Sequence, residues 1–260
     1  MTTKMALSSI TSGKIMAPIK TLVYGPEGVG KSTFASESAS PVFIPVEEGT
    51  NALDVKRFPR PETLQDFLDA IIELGKGEHE FKTVVVDTID ALEPLIWAAV
   101  CKKGKKDSIE DFGYGKGYTI ALAEWLTVLH YLERLRALKG INVVLLAHSQ
   151  VKTFKNPEGE DFDRYELKLA GKGASALCKE WSDNVLLATY EVIAATNEQT
   201  KRTRGVSTGN RIAHTVHSGA YDAKNRHSLP DPMPFVWADY RAAVAAHFKT
   251  AEKPAEKAEG

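Results

Sequence analysis

Cysteine is scarce in this chain, which has two, Cys101 and Cys178, in 260 residues. They lie far apart, with no CxxC pair and no histidine at the spacing of a metal site. A disulfide framework or a structural zinc site requires more ligands at closer spacing. The pattern therefore predicts two reduced thiols and a cytoplasmic protein.

Long apolar runs and an excess of charge are also missing. No run approaches the roughly 20 apolar residues that span a bilayer, and no apolar segment typical of a secretory signal accompanies Lys4 and Lys14. We therefore expect no membrane association and no secretion. The net charge of −1 gives no general argument for nucleic-acid binding, although KKGKK (102–106) and KRTR (201–204) are locally basic. Solvated loops are the alternative for both clusters.

From residue 19 onward, short apolar runs alternate with helical patterns. The apolar runs predict strands at 19–24, 41–46, 82–87 and 141–148. The periodic segments between them predict helices at 32–39, 62–74, 91–100 and 118–138. This alternation predicts an α/β fold with a mainly parallel sheet flanked by helices.

The chain changes character after Gln150. A polar segment predicts a projecting loop or hairpin, and 185–217 predicts antiparallel strands added to the parallel core. Two further helices are expected at 175–181 and 237–248. We divide the chain into an N-terminal arm (1–18), one domain (19–249) and a disordered charged tail (250–260).

One motif constrains function more than any other segment. The sequence GPEGVGKST (25–33) matches G-x-x-x-x-G-K-[ST] and follows an apolar strand directly. A strand that ends in glycines and continues as a helix turns several backbone N–H groups toward a bound phosphate. In this motif the lysine reaches the outer phosphates and the hydroxyl ligates Mg²⁺. We therefore expect ATP to bind residues Gly25, Pro26, Glu27, Gly28, Val29, Gly30, Lys31, Ser32 and Thr33.

Acidic residues end two other predicted strands. Asp87 closes the run KTVVVD, and a carboxylate there is the expected partner of Ser32 in a Mg²⁺ site. Glu47 and Glu48 follow the strand at 41–46, where strand ends converge on the phosphates. One of these two glutamates is the candidate base for water attack, and solvated turn residues are the alternative.

Polar residues also emerge from the strand at 141–148. His148, Ser149 and Gln150 could sense the γ-phosphate and pass its presence to the following loop, and a half-buried structural histidine is the alternative for His148. GYGKG (113–117) lacks the preceding strand of a second phosphate loop. Its glycines, aromatic residues and nearby lysines are typical of a flexible platform for single-stranded nucleic acid.

The order of these motifs resembles the RecA-like recombinase core. The runs IEDFGYGKGY, AHSQVK and AKNRHSLP resemble small phage RecA-like ATPases of the AAA type, which assist single-strand annealing and recombination. The resemblance covers roughly residues 19–249 and implies a RecA-like P-loop NTPase that hydrolyses ATP with Mg²⁺. In a phage-encoded chain the expected location becomes the host cytoplasm.

The resemblance also implies roles for particular residues. Glu47 corresponds to the catalytic glutamate, with Glu48 as the second choice, and Gln150 corresponds to the allosteric glutamine. Lys224 and Arg226 match two basic residues that contact ATP of a neighbouring subunit, which implies a homo-oligomer with ATP at its interfaces.

Single-stranded DNA is the partner that the resemblance implies. Its two contact loops would lie at about 102–117 and 151–164. The second loop is acidic here, with Glu158, Glu160, Asp161 and Asp163, so we do not expect strong independent DNA binding. The near-neutral net charge leaves room for assistance by a single-strand-binding protein.

Two other functions fit the same phosphate loop. A small-molecule kinase acting on a nucleoside or nucleotide would need a lid over the phosphates. The segment KRTRGVSTGNR is the candidate for that lid, but it lies between predicted strands, whereas a lid of this kind joins helices. A helicase-loader-like switch would use ATP only to change partners.

Overall fold

A computed structural model describes residues 7–171, 173–196 and 203–249. Residues 1–6 of the predicted arm, Lys201 and Arg202 of the basic cluster, and the predicted tail 250–260 lie outside the described residues. The division of the chain into arm, domain and tail stays a prediction.

The described chain alternates strands and helices as the sequence predicts. The strands are β1 (Lys20–Gly25), β2 (Pro41–Pro45), β3 (Lys56–Arg57), β4 (Thr83–Asp87), β5 (Asn142–Phe154), β6 (Phe162–Leu167), β7 (Asn184–Thr196), β8 (Thr203–His214), β9 (Lys224–Asn225) and β10 (Met233–Pro234). The helices are α1 (Lys31–Ser36), α2 (Leu64–Lys76), α3 (Ile89–Gly104), α4 (Lys116–Lys139), α5 (Ala174–Trp181) and α6 (Trp237–Lys249). Short 3-10 turns lie at Leu7–Ser9, Glu48–Thr50 and Ile109–Phe112.

The strands form a sheet in the order β10–β8–β7–β1–β5–β4–β2–β3. Neighbours from β7 to β3 are parallel, whereas β8 and β10 are antiparallel to their neighbours. Strand β6 pairs with the outer half of β5, and β9 pairs with the start of β7. The predicted fold class is confirmed: the sheet is mainly parallel, helices flank it, and antiparallel strands are added toward the C-terminus.

Three predicted boundaries differ from the structure. Strand β5 continues to Phe154, so the polar segment after Gln150 is a β5–β6 hairpin. Part of the predicted loop 102–117 is helical, because α3 extends to Gly104, a 3-10 turn spans Ile109–Phe112 and α4 begins at Lys116. Strand β7 is parallel to β1, so the antiparallel addition begins one strand later, at β8.

Alternating side chains of the sheet fill two cores. Leu22 and Tyr24 of β1 pack toward α2, α3 and α4, whereas Val23 packs with the aromatic residues of α1 and α6. On the second face Phe34 stacks on Phe235 with ring centroids 4.4 Å apart. Because both faces of β1 are buried, the loop that follows it is held on a rigid base.

None of the helices in the described ranges is long and apolar enough to cross a membrane.

Candidate nucleotide site

The phosphate loop joins β1 to α1 at the carboxyl edge of the sheet. Gly28 and Gly30 have φ angles of 75° and 93°, which favour glycine over residues with a Cβ. Val29, between them, is fully buried and anchors the loop in the core. This backbone has the geometry that presents N–H groups to an anion.

Lys31 lies buried at the start of α1. Its ammonium donates to the carbonyl oxygens of Gly25 and Pro26, both at 3.0 Å. Burial lowers the pKa of Lys31, and the charges of nearby carboxylates, Asp87 first among them, oppose that shift. The positive charge is therefore held inside the loop that the motif assigns to the phosphates.

Ser32 and Asp87 meet as the sequence predicts. The Ser32 hydroxyl donates to Asp87 Oδ2 at 2.7 Å, although strand β5 separates β1 from β4 in the sheet. Asp87 is 1% exposed, and its second carboxylate oxygen is buried without a hydrogen-bond partner among the residues that the structure describes. Burial raises the pKa of Asp87, and the hydrogen bond from Ser32 partly offsets the shift.

These two side chains fit a hard divalent cation. A hydroxyl and a carboxylate are oxygen ligands of the kind that Mg²⁺ prefers. The unpartnered Oδ1 of Asp87 is costly in a buried position unless a cation or water contacts it. Ser32 and Asp87 are therefore the residues that would hold Mg²⁺ beside a bound triphosphate.

Glu47 lies closer to this site than Glu48 does. The backbone N–H groups of Val46 and Glu47 donate to the Asp87 carbonyl oxygen at 2.7 and 3.2 Å, which fixes the end of β2 against β4. Glu47 is half-buried and burial raises its pKa. Glu48 is exposed and its carboxylate lies 3.6 Å from the guanidinium of Arg60, directed toward solvent. Geometry favours Glu47 as the candidate base.

His148 is held between two carboxylates at the end of β5. Its Nδ1 lies 2.8 Å from Asp90 Oδ2, and its backbone N–H donates to Asp90 Oδ1 at 2.9 Å. Its Nε2 lies 3.9 Å from Glu47 Oε1. The hydrogen bond that the His148 ring donates to Asp90 raises the pKa of His148, with burial opposing it. The His148 ring is therefore held beside Glu47, at the edge where the γ-phosphate is expected.

Gln150 lies two residues farther along β5 and faces the hairpin. Its side-chain amide donates to the carbonyl oxygen of Leu167 at 2.8 Å, at the end of β6. The adjacent segment is held by buried Glu93 of α3, which accepts from Ala170 N–H at 2.7 Å and Gly171 N–H at 3.0 Å. Gln150 thus connects β5 to the exit of the hairpin, whereas His148 lies beside Glu47.

Lys224 and Arg226 lie at the opposite edge of the sheet. Strand β9 pairs with the first residues of β7, at the amino ends of the parallel strands. The Lys224 ammonium donates to three carbonyl oxygens near the end of α5, at 2.7 to 3.1 Å. Arg226 is exposed and lies 3.1 Å from Asp183. Within one protomer these residues are apart from the phosphate loop.

The two predicted DNA loops differ in shape. In the first, four lysines between 102 and 106 are exposed, and the Tyr114 side chain is fully exposed at the turn before α4. The second is the β5–β6 hairpin, in which Phe154 and Phe162 contact each other across the strands. Two of its acidic residues are already engaged: Asp161 pairs with Lys155 and Asp163 accepts from Thr153.

The sequence interpretation missed two contacts of the site. The first is Asp90, whose spacing of three residues from Asp87 is the one signal that places it at the same edge. Arg211 of β8 lies against Gly30 of the phosphate loop. No local pattern indicates this contact, because it depends on the path of the β7–β8 pair beside β1.

The chain is similar to known proteins in three comparisons. A prophage protein of Bacillus subtilis (strain 168), the SPbeta prophage-derived uncharacterized protein YorG, is 25% identical over 135 residues. The match covers 49% of this chain and 40% of that protein, so the chain spans less than half of the relative's length. The crystal structure of the RadB recombinase shares 16% identity with a TM-score of 0.41, over 80% of this chain and 91% of that chain.

The AAA domain family matches residues 17–227, a range that includes the phosphate loop, Asp87 and His148. This range is most of the chain. With the motif and the geometry of the loop, it identifies a P-loop NTPase, and the chain belongs to the AAA domain family.

Proposed function

We propose that this protein hydrolyses ATP in a Mg²⁺-dependent reaction and acts on single-stranded DNA as a RecA-like protein of annealing or recombination. The observation that carries the catalytic part is the 2.7 Å contact between Ser32 and Asp87, with the unpartnered Asp87 oxygen beside it. A purely structural turn needs neither the buried lysine nor the buried carboxylate.

Each residue of the site has a distinct role in the proposed reaction. The loop amides and Lys31 hold the phosphates, and Ser32 with Asp87 would hold Mg²⁺, which supplies charge neutralisation to the β- and γ-phosphates. Glu47 accepts the proton of the attacking water, and burial makes it a stronger base than an exposed glutamate. His148, fixed by Asp90, donates a hydrogen bond toward the γ-phosphate.

The proposed link to DNA runs along β5. This strand carries His148 at the nucleotide site and continues without interruption into the β5–β6 hairpin. Gln150 binds the far end of that hairpin through the Leu167 carbonyl oxygen. A change at the γ-phosphate therefore has a direct path, the seven residues from His148 to Phe154, into a predicted DNA-contacting segment.

The first predicted DNA segment has the required chemistry. Exposed lysines can neutralise phosphates, and the exposed ring of Tyr114 can stack on a base. The prophage origin of the similar Bacillus protein is compatible with a role in phage DNA metabolism. The mixed charge of the hairpin favours DNA binding that depends on the nucleotide state, or on assistance by a single-strand-binding protein.

The proposed contact of Lys224 and Arg226 with ATP requires a homo-oligomer. They lie at the sheet edge opposite the phosphate loop, so they reach ATP only if that ATP belongs to a neighbouring protomer. Arg226 is exposed and is the better candidate of the two, because Lys224 already binds three carbonyl oxygens of its own chain.

ATPase assays with and without single-stranded DNA test this function, together with light scattering in the presence of a non-hydrolysable ATP analogue. We expect DNA to increase kcat and the analogue to increase both particle mass and DNA affinity. The Arg226 side chain is exposed, so Arg226→Gln should impair assembly without unfolding the chain. A rate of hydrolysis that single-stranded DNA does not change would instead favour the partner-switch alternative. Phosphate transfer to a nucleoside or nucleotide would favour the kinase alternative.

A further inference from the structure

Arg211 approaches the phosphate loop from the side opposite to Asp87 and Glu47. It lies on β8, directly across from Tyr190 of β7. Tyr190 in turn donates its hydroxyl to the Gly28 carbonyl oxygen at 3.1 Å. The β7–β8 pair therefore contacts the loop at two points, through a tyrosine hydroxyl and a guanidinium.

The contact between Arg211 and Gly30 is close. A Cβ built on Gly30 would lie 2.2 Å from Arg211 Nη1 and 3.3 Å from Cζ, so any side chain at position 30 would displace the guanidinium. Two separate features therefore require glycine at position 30: its positive φ angle of 93°, and the Arg211 guanidinium that occupies the space of a Cβ. The guanidinium is seated directly against the residue that precedes Lys31.

The charge of Arg211 has no carboxylate partner in the described part of the chain. The arginine ion pairs there involve Arg60, Arg136, Arg164 and Arg226. Glu191, the acidic neighbour on β7, already accepts hydrogen bonds from Thr208 at 2.7 Å and Asn210 at 3.0 Å. An exposed guanidinium at a phosphate loop, with its nearby carboxylate engaged elsewhere, is available to an anion.

We propose that Arg211 is a nucleotide-binding residue, supplied by the same protomer, that contacts the phosphate chain of bound ATP or ADP. A planar guanidinium matches two phosphate oxygens at once, which an ammonium does not. Because Asp87 and Glu47 occupy the γ-phosphate side, Arg211 meets the oxygens that ATP and ADP share. This inference rests on the proposed nucleotide site and adds a contact that the P-loop motif does not contain.

Isothermal titration calorimetry of ADP and a non-hydrolysable ATP analogue tests the role of Arg211. We expect Arg211→Gln to weaken both ligands by a similar factor, about 10- to 100-fold, and Arg211→Lys to weaken them less. The value of kcat at saturating ATP should change by less than about 3-fold, because the lost contact is equal in ground and transition states. Arg134→Gln, an exposed change on α4, is the matched control and should bind both ligands like the wild type.

Three results would overturn the inference. Unchanged affinity of Arg211→Gln for both ligands removes Arg211 from the site, while the proposed function stands. Equal weakening by Gln and Lys, with a lower melting temperature of the unliganded protein, assigns Arg211 a structural role in the loop. A wild-type protein that binds neither ligand refutes the proposed function and this inference together.

Discussion

Asp222 connects three elements of the fold outside the nucleotide site. Its carboxylate accepts from Arg164 Nη2 at 2.5 Å and from Lys179, and its backbone carbonyl accepts from the Tyr24 hydroxyl at 2.6 Å. These contacts join the hairpin strand β6, helix α5 and strand β1, at the residue before Gly25 of the phosphate loop. Asp222→Asn retains the size of the side chain and removes its charge.

Asp222→Asn destabilises the folded state because the charges of Arg164 and Lys179 lose their carboxylate partner. The Arg164 side chain is 9% exposed and the Asp222 side chain 22%, so water replaces the lost partner only in part. Removing one partner of a buried pair costs about 3–5 kcal/mol, and the partial exposure of Asp222 and Lys179 places this case at about 3 kcal/mol. For a chain of this size we expect the melting temperature to fall by about 6–12 °C.

The effect should depend on pH in a defined direction. Burial raises the pKa of Asp222, but the hydrogen bond and charge of Lys179 and the charge of Arg164 lower it by more, so its pKa lies below the usual range. A carboxylate with a depressed pKa stabilises the folded state above its unfolded pKa of about 4, and this stabilisation is lost as pH falls through the folded pKa. The difference in melting temperature should therefore be constant near neutrality and narrow in acid.

Thermal melts of wild type, Asp222→Asn and Asp54→Asn measure this effect. Asp54 is exposed and serves as the charge-matched control, with an expected change within about 0.5 kcal/mol. If Asp222→Asn and Asp54→Asn have the same melting temperature at neutral pH, the contacts of Asp222 with Arg164 and Lys179 do not stabilise the protein and the reasoning fails.

Three further predictions concern side chains near the site and at the opposite edge. Lys224→Met should destabilise the protein by about 1–3 kcal/mol in denaturant melts, because three carbonyl oxygens near the end of α5 lose their donor; an unchanged midpoint would contradict the contact. Asp90→Asn should lower the pKa of His148 toward its ordinary value in an NMR titration, because the hydrogen bond that His148 donates to Asp90 is the main cause of the raised value; no shift would show that the pair does not form. Gln150→Ala should preserve nucleotide binding and abolish stimulation by single-stranded DNA, and retained stimulation would exclude Gln150 from the coupling.

Short-range motifs made the nucleotide site predictable. The phosphate loop has its glycines, lysine and serine within nine residues. Asp87 ends an apolar strand, and a carboxylate at that position indicates a functional site because burying it without a partner is costly. Parallel strands bring their carboxyl ends to one edge, so the meeting of Ser32 and Asp87 follows from the α/β pattern. The same rule places Glu47 and His148 nearby.

Contacts between distant segments were not predictable in this way. The amide of Gln150 binds a carbonyl of β6, and the ammonium of Lys224 binds the end of α5, because of strand pairings that no local pattern encodes. Arg211 reaches Gly30 only because β7 lies beside β1 and β8 beside β7. The length of β5 was underestimated because polar residues continue the strand once it leaves the core.

The assignment of Glu47 as the catalytic base is tested most directly by two measurements on the Glu47→Gln variant: its rate of phosphate release and its affinity for ATP. The substitution retains the size of the side chain and removes its ability to accept a proton, whereas Glu48→Gln changes an exposed neighbour. We expect Glu47→Gln to bind ATP with wild-type affinity and to lose hydrolysis by at least about 100-fold, while Glu48→Gln retains it. Wild-type turnover by Glu47→Gln would contradict the assignment of the catalytic site at the junction of β1, β2 and β4.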